Sequence, residues 1–272
     1  MKIIDSRCRP NTPEFMSMYN KPANAGTWKK FGYPCPPDVS LDTFLDNLDK
    51  AGIYKGVFLG RQVYQPDGVT MVKGVTNDYV KQCVDNSRGK LVGVAGVDPL
   101  HTDAAAELTR AVTELGLKGV SIDLDTFSVY PQDRILFPIY DMAQKLGVAV
   151  SFTMGPLVGR FSDPDYIDIV ANEFPNLRIL CSHGCYPQVT EFIGLAYRCD
   201  NVWLEASIYE FLPGGMPIIE AANGFLSDKI VYGSAFPFNP IEIIDTFKKF
   251  PISEENLEKV LYKNCCDVYK ID

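Results

Sequence analysis

The sequence predicts an α/β fold, a closed (β/α)8 barrel formed by a single domain over residues 1–272. Eight apolar segments of strand length recur along the chain, and each is followed by a segment of helical periodicity. The strand segments are near-continuous in Val, Ile and Leu, which is typical of parallel strands that are buried on both faces. A chain of 272 residues also has the length of an ordinary barrel of this type.

The eight predicted strands leave room for at least one helix between successive members. They are Lys2–Cys8, Gly56–Leu59, Leu91–Val97, Gly119–Leu124, Val148–Thr153, Leu177–Ser182, Val202–Ala206 and Lys229–Gly233. In the intervals, apolar residues recur at positions i, i+3, i+4 and i+7, as they do from Leu41 to Leu48. Glycines such as Gly147 follow the last apolar residue of several helices and mark where those helices end.

Two further segments lie outside this alternation. Residues 10–37 are rich in Pro, Gly, Asn and Tyr and lack a regular period, so we predict a long excursion after the first strand that folds over the barrel mouth. At about 254–269, Leu257, Val260, Leu261 and Cys265 fall on one stripe, which predicts an extra C-terminal helix.

The composition argues against several classes of protein. The chain has 26 Lys and Arg against 34 Asp and Glu, a formal net charge of −8, and no basic cluster, which disfavours nucleic acid and anionic membranes as partners. No apolar run reaches the roughly 18 residues of a membrane-spanning helix. Asp5 and Arg7 interrupt the stretch where a signal peptide would be apolar. We therefore expect a cytoplasmic protein.

The sequence contains no motif for a common cofactor. No GxGxxG or GxxxxGK[ST] pattern follows any strand, so neither a dinucleotide nor a P-loop phosphate site is predicted. The eight cysteines are scattered and show no zinc-finger spacing. We predict no cofactor.

Polar residues at the strand ends are the candidates for a functional site, because loops and side chains converge at the carboxyl ends of barrel strands. The polar residues that fall there in the predicted strands are Asp5, Arg7, Arg9, Arg61, Asp123, Asp125, Ser151, Thr153, Ser182, His183, Glu205, Ser207 and Ser234.

Three short motifs in this set resemble the amidohydrolase-related branch of the amidohydrolase superfamily, which includes aminocarboxymuconate-semialdehyde-type decarboxylases. They are IIDSRCR at residues 3–9, SHGCYP at residues 182–187 and GSAFP at residues 233–237. The resemblance extends essentially from end to end of the chain and implies a (β/α)8 barrel enzyme. It also allows a homodimer, although no helix shows an apolar face broad enough to require one.

The sequence departs from the family pattern at the metal-binding positions. Metal-dependent members carry two histidines where this chain has Arg7 and Arg9. They also carry a histidine near Thr153 and an aspartate at the position of Ala235. Of the family's ligand residues only His183 remains.

These departures predict that no metal ion is bound. Arg7 and Arg9 have no lone pair to offer a metal and effectively never deprotonate. At about 4 Å and an effective dielectric constant near 20, each cation also repels a positive charge by roughly 4 kcal/mol. A substitute site built from Cys8, Cys185 and His183 is disfavoured, because strand alternation places Cys8 on the opposite face from the arginines.

Arg7 and Arg9 alternate onto one face of the first strand, where both guanidinium groups could grip the carboxylate of a ligand. The competing interpretation is a structural ion network with Asp5, Asp123 or Glu205, since buried cations are rarely unpaired. The two interpretations are compatible if a ligand completes the network.

His183 is one of two histidines and the predicted proton-transfer residue, because an imidazole titrates near neutral pH. Nearby arginines are expected to lower its pKa, and an acidic partner is expected to raise it. The candidate partners of His183 are Asp123, Asp125 and Glu205, of which Asp123 and Glu205 are predicted to be catalytic. Arg61 is predicted as a third anion contact, and Thr153 and Ser234 as polar walls.

The sequence thus predicts an amidohydrolase-type hydrolase or lyase that acts on a small organic acid without a metal ion. Candidate substrates are a lactone, an unsaturated or cyclic carboxylate, or an acid that loses CO2. Because Ala235 removes the family's acidic residue, lyase or proton-transfer chemistry is as plausible as hydrolysis. The alternative is a catalytically silent barrel that binds a carboxylate metabolite or a protein partner, and a conventional metallohydrolase is a weaker third interpretation.

Overall fold

The apolar segments form strands in the computed structural model, which describes residues 1–101 and 103–271. Within those ranges the strands are β1 (Ile4–Asp5), β2 (Lys55–Leu59), β3 (Arg61–Tyr64), β4 (Met71–Val75), β5 (Leu91–Gly96), β6 (Gly119–Ile122), β7 (Ala149–Phe152), β8 (Arg178–Cys181), β9 (Val202–Ala206) and β10 (Ile230–Tyr232). All except β3 and β4 form one parallel sheet in chain order. The predicted (β/α)8 barrel is confirmed.

The first and last strands of this sheet meet and close the barrel. The amide of Ser6 donates to the carbonyl of Tyr232 at 3.0 Å, and Cys8 pairs in parallel with Phe236. The first strand is shorter than predicted and ends at Asp5, because the amide of Arg7 donates to the Asp5 carboxylate at 3.1 Å instead of extending the ladder.

An antiparallel hairpin, β3 and β4, follows the second barrel strand and was not predicted. Its turn contains Pro66, Asp67 and Gly68, and the Asp67 carboxylate accepts hydrogen bonds from the amides of Val69 and Thr70. A Pro-Asp-Gly sequence between two runs of β-prone residues indicates a hairpin. The prediction of strands from apolar segments alone did not detect it. The hairpin carries Arg61 to the barrel mouth.

The helices pack around the barrel and over its mouth. Over the described residues they are α1 (Pro13–Met16), α2 (Ala25–Phe31), α3 (Leu41–Lys50), α4 (Asn77–Asp85), α5 (Ala104–Thr113), α6 (Leu124–Phe127), α7 (Phe137–Leu146), α8 (Pro164–Glu173), α9 (Val189–Arg198), α10 (Met216–Ala222), α11 (Ile243–Phe247), α12 (Glu254–Glu258) and α13 (Asn264–Tyr269). Ser40 caps α3, because its side chain accepts a hydrogen bond from the amide of Thr43. Gly147 ends α7 in the left-handed conformation, at the position predicted from the sequence. None of the helices in these ranges is long and apolar enough to cross a membrane.

Alternation along the strands divides the core into two layers. Ile4, Val57, Leu180 and Val231 point into the barrel, while the neighbouring residues pack against the surrounding helices. α13 packs against the inner layer through residues that include Val268, so it covers the end of the barrel opposite the strand ends that carry the polar residues.

The predicted excursion and C-terminal helix are both present. Residues 10–37 contain α1 and α2, and Trp28 of α2 packs on Phe238 after β10, with ring centroids 5.1 Å apart. The excursion therefore lies over the barrel mouth. The C-terminal segment continues from α12 to α13 through a π-helical turn at Lys259–Lys263.

Candidate active site

A chain of buried hydrogen bonds connects the ends of β1, β8 and β9. Arg7 Nε donates to Glu205 Oε1 at 2.7 Å, and both side chains are completely buried. Ser207 Oγ lies 2.8 Å from the same carboxylate oxygen, and His183 Nδ1 lies 2.8 Å from Ser207 Oγ. We call the last three residues, His183, Ser207 and Glu205, the His–Ser–Glu chain.

Hydrogen-bond balance fixes the tautomer of His183. The Glu205 carboxylate can only accept, so the single proton of the Ser207 hydroxyl is donated to it. Ser207 Oγ must then accept from His183 Nδ1, which therefore carries the proton. The lone pair of the neutral imidazole is consequently on Nε2, which is free to act as a base.

Two strained backbone segments position the residues of the His–Ser–Glu chain. His183 has φ +62°, and the turn that it begins continues through Gly184 and Cys185 with positive φ. Ile208 has φ +69° and ψ −60°, and the amide of Tyr209 donates to the carbonyl of Ser207 at 2.8 Å in a γ-turn. Such conformations cost on the order of 1–3 kcal/mol in non-glycine residues and occur mainly at functional sites.

The environment keeps His183 neutral. Burial lowers the pKa of the imidazole well below its usual value, and the positive charges of Arg7 and Arg9 lower it further. Tyr209 packs edge-on against the imidazole, with ring centroids 5.9 Å apart. At neutral pH this residue is therefore a proton acceptor.

Arg7 belongs to the floor of the site. In addition to Glu205, its Nη2 donates to Ser151 Oγ at 3.1 Å. Ser6 Oγ donates to the second oxygen of Glu205 at 3.1 Å. Arg7 Nη1 has no hydrogen-bond partner although it is buried. The ion network that was one of the two sequence interpretations is thus present for Arg7.

Arg9 differs from Arg7 and Arg61 in forming no ion pair among the described residues. It is 5% exposed, and its Nε donates to the carbonyl oxygen of Leu59 at 3.4 Å. Over residues 1–101 and 103–271, no carboxylate forms an ion pair with it. Burial lowers the pKa of Arg9 to about 10, and the neighbouring charges of Arg7 and Arg61 contribute to that shift. Arg9 nevertheless remains protonated at neutral pH.

Arg61 and Asp123 form the second ion pair of the site. Arg61 Nε contacts Asp123 Oδ2, and Asp123 Oδ1 accepts a hydrogen bond from Thr153 Oγ1 at 2.5 Å. Burial alone would raise the pKa of Asp123, but the Arg61 cation outweighs it, so the pKa falls below its usual range. Asp123 is therefore a fixed anion that orients Arg61, and it makes no hydrogen bond to His183 among the described residues.

His183, Arg61, Asp123 and Thr153 line a cavity of about 310 Å³, whereas Arg7, Arg9 and Glu205 lie outside its lining. Its polar lining comprises Asn24, Thr27, Arg61, Lys73, Asp123, Asp125, Thr126, Thr153 and His183. Its apolar walls include Tyr19, Trp28, Phe31, Tyr209 and Phe238. The lining thus combines aromatic rings with a few charged and polar groups, which is the usual composition of a small-molecule site.

Ser234 lies outside the lining of this cavity. It is fully buried, its amide donates to Asp5 Oδ1 at 2.8 Å, and its hydroxyl accepts from the amide of Phe236 at 3.0 Å. Ser234 shapes the turn after β10, where Ala235 has φ +59°.

The residues around His183 do not form a binding site for a transition metal ion. Among the described residues, no group of three or more His, Cys, Asp or Glu side chains is arranged to hold an ion. Cys8 packs in the outer core layer, and burial raises its thiol pKa well above the usual value. His183 faces the arginine cations instead of additional ligands.

A family profile described as "Amidohydrolase" matches residues 26–271. The chain belongs to the amidohydrolase family. It is 24% identical over 246 residues to the 2-amino-3-carboxymuconate-6-semialdehyde decarboxylase of Dictyostelium discoideum, and that match covers 72% of this chain and 66% of the relative. The chain thus matches slightly less than two thirds of the relative's length.

Solved structures share the amidohydrolase barrel. An uncharacterised TIM-barrel protein from Bordetella bronchiseptica is 28% identical, with 98% of each chain covered and a TM-score of 0.86. The 5-carboxyvanillate decarboxylase of Novosphingobium aromaticivorans is 15% identical, with a TM-score of 0.74 and coverage of 99% of this chain and 97% of that one. The latter structure contains manganese and a nitrobenzoic acid, and at 15% identity its likeness to the amidohydrolase described here is one of fold.

The structure brings most of the predicted site residues together and adds others. His183, Arg61, Asp123 and Thr153 line the cavity. Arg7 and Glu205 form the ion pair described above, and Arg9 is buried beside Leu59. The linking roles of Ser6, Ser151 and Ser207 were not predicted, because serines at strand ends are common and only the fold shows which of them face a carboxylate or an arginine.

Proposed function

We propose that this amidohydrolase is a lyase that removes CO2 from a small, planar organic acid without a metal ion. In this proposal the substrate carboxylate binds at Arg9, and His183 transfers the proton. The observation that carries the proposal is a buried guanidinium, that of Arg9, which forms no ion pair among the described residues and lies near a neutral imidazole.

Charge balance supports an anionic ligand. Three guanidinium groups lie at the site, and two of them, Arg7 and Arg61, are paired with Glu205 and Asp123. Arg9 has no ion-pair partner among the described residues, and a buried charge without a partner is costly. A carboxylate would neutralise it and could also engage the free Nη1 of Arg7.

The same groups support proton transfer. In the decarboxylation of an enolic or hydroxylated acid, His183 Nε2 accepts the proton of the substrate hydroxyl and returns it to the carbon that bears the carboxylate. The bond from that carbon to the carboxyl carbon then breaks, its electron pair moves into the substrate to leave an enolate or phenolate, and CO2 departs. Arg9 and Arg61 can stabilise the oxyanion, and solvent supplies the proton that neutralises it.

Glu205 supports the charged form of His183 during this step. When Nε2 accepts the proton, the positive charge of the imidazolium is felt by Glu205 through Ser207. Hydrolysis by the metal-dependent route of the family is less well supported, because Ala235 occupies the position of the acidic residue.

The proposal is tested by turnover assays on purified protein treated with a chelator. We expect release of CO2 from at least one hydroxylated aromatic or enolic acid, with lactones as the comparison for hydrolysis. His183→Asn should abolish turnover, because the amide preserves a donor toward Ser207 but has no basic nitrogen. Activity that disappears with the chelator and returns with manganese would contradict the proposal.

The same assays identify a silent barrel. If no acid or lactone turns over, but carboxylates raise the melting temperature of the wild type and not of Arg9→Gln, the protein binds carboxylates without catalysis.

A further inference from the structure

A second cleft adjoins the candidate active-site cavity. Its volume is about 610 Å³, and it shares Phe31, Leu157, Ile208 and Tyr209 with that cavity. Since the same four side chains line both spaces, the two are neighbouring compartments at the mouth of the barrel.

The cleft differs from the cavity in its chemistry. Beyond the shared residues, its lining is mainly apolar, with Tyr33, Pro156, Phe211, Leu212 and Ile243, and its polar members are Lys30, Asn239 and Thr246. It has no acidic side chain in its lining within the described part of the chain, whereas Asp123 and Asp125 line the cavity. An apolar group entering the cleft would therefore displace water without removing a carboxylate from solvent.

Several apolar side chains in this cleft are open to solvent. Tyr33, Leu157 and Leu212 are 38%, 45% and 44% exposed, and all three face the same space. Exposed apolar side chains that gather beside a functional cavity, and are not scattered singly, are characteristic of a ligand-binding surface.

We infer that the cleft binds an apolar substituent of the substrate whose carboxylate lies in the cavity. The ligand class is a planar acid with an alkyl or aryl extension. The inference rests on the proposed function for the position of the carboxylate. The cleft is the specificity site, because it contacts the part of the molecule that does not react.

Binding of 4-alkylbenzoates tests the inference. Benzoate, 4-butylbenzoate and 4-hexylbenzoate are titrated into the wild type, and dissociation constants are measured by calorimetry. Each methylene that enters the cleft should tighten binding by up to about fourfold. An affinity that is unchanged or weaker as the chain lengthens would overturn the inference.

A matched pair of variants locates the effect. Leu212→Ser should weaken 4-hexylbenzoate by about fivefold and leave benzoate unchanged, because Leu212 lines only the second cleft. Leu100→Ser is the control, since Leu100 is similarly exposed at 55% but lies elsewhere on the surface. Equal effects of the two substitutions, or none from Leu212→Ser, would refute the assignment.

The two proposals fail in different ways. If benzoate binds through Arg9 but chain length has no effect, only the cleft assignment is wrong. If no benzoate binds, the carboxylate site is wrong, and the neutral 4-hexylphenol then tests the cleft by itself. Binding of this phenol that Leu212→Ser weakens would support the cleft, and absence of binding would reject it.

Discussion

His183 is a base whose properties are set by neighbours that follow two strands, β1 and β9. The Nδ1 proton is committed to Ser207, and the pKa is lowered by burial, Arg7 and Arg9. Because the folded pKa is below the usual value near 6.5, the basic form should persist at more acidic pH than in an exposed histidine. Catalysis by the base should therefore remain near its maximum at neutral pH and fall only in acid.

Removing Arg9 should raise the pKa of His183. We expect Arg9→Gln to shift the imidazole titration, and the acid limb of any pH–rate profile, toward higher pH, since one of the repelling cations is lost. NMR titration of the ring protons measures this directly, because the chain has two histidines and few imidazole signals need to be assigned. An unchanged His183 titration in the variant would contradict the assigned role of Arg9.

Ser207 and Ser6 form a matched pair for testing the His–Ser–Glu chain. Both hydroxyls donate to Glu205, but only Ser207 contacts His183. Alanine at either position should cost about 1.5–3 kcal/mol of stability, the range for a hydrogen bond to a charged group. Urea denaturation measures this loss.

Only Ser207→Ala should also lower kcat, because it frees the imidazole to adopt the other tautomer. KM should change little, since neither hydroxyl lines the cavity. Equal kcat values in the two variants would show that Ser207 has no role beyond structure.

At the scale of elements, the β3–β4 hairpin holds Arg61 against Asp123. Gly74 of β4 has φ +116°, and a Cβ atom there would overlap the carbonyl oxygen of Arg61. Gly74→Ala should therefore displace β3 and weaken carboxylate binding.

Gly52→Ala is the control for backbone strain without collision. Gly52 has φ +71°, and no atom lies within 4 Å of an added Cβ. The Gly52→Ala substitution should lower the unfolding free energy by about 1–2 kcal/mol, the penalty for a left-handed non-glycine residue, and leave carboxylate binding unchanged. Benzoate affinity is measured for both variants by calorimetric titration. Equal affinities of Gly74→Ala and Gly52→Ala would refute the role of the hairpin.

The barrel strands were predictable, and the hairpin was not. Short apolar runs rich in Val, Ile and Leu are typical of a buried parallel strand, and Arg178–Cys181 and Ile230–Tyr232 are clear instances. The hairpin strand Met71–Val75 is half-exposed and lacks such a run. The site residues could be predicted because they follow the ends of strands. The carboxylate that each arginine contacts could not be predicted, because it depends on the relative stagger of strands that are distant in sequence.

At the scale of the whole molecule, an acidic protein of net charge −8 contains a buried guanidinium, that of Arg9, with no ion-pair partner among the described residues. The excess charge at Arg9 is local, so small anions should stabilise the fold by binding there. A carboxylate at 100 times its dissociation constant should add about 2.7 kcal/mol to the unfolding free energy of the wild type. Thermal denaturation with benzoate should show this increase in the wild type and not in Arg9→Gln.

Metal ions should not stabilise the protein. Chelation or addition of manganese is expected to leave the melting temperature unchanged, because guanidinium groups occupy the positions of metal-ligating histidines in the family. A rise in melting temperature with stoichiometric manganese would contradict this expectation.

The central claim is that arginine cations replace the metal as the partner of the substrate carboxylate. A crystal structure of the protein grown with both manganese and benzoate, with anomalous diffraction recorded for manganese, tests it most directly. We predict a carboxylate within hydrogen-bond distance of the Arg9 guanidinium and no anomalous peak at His183. A manganese ion coordinated by His183, or a benzoate bound away from Arg9, would contradict the claim.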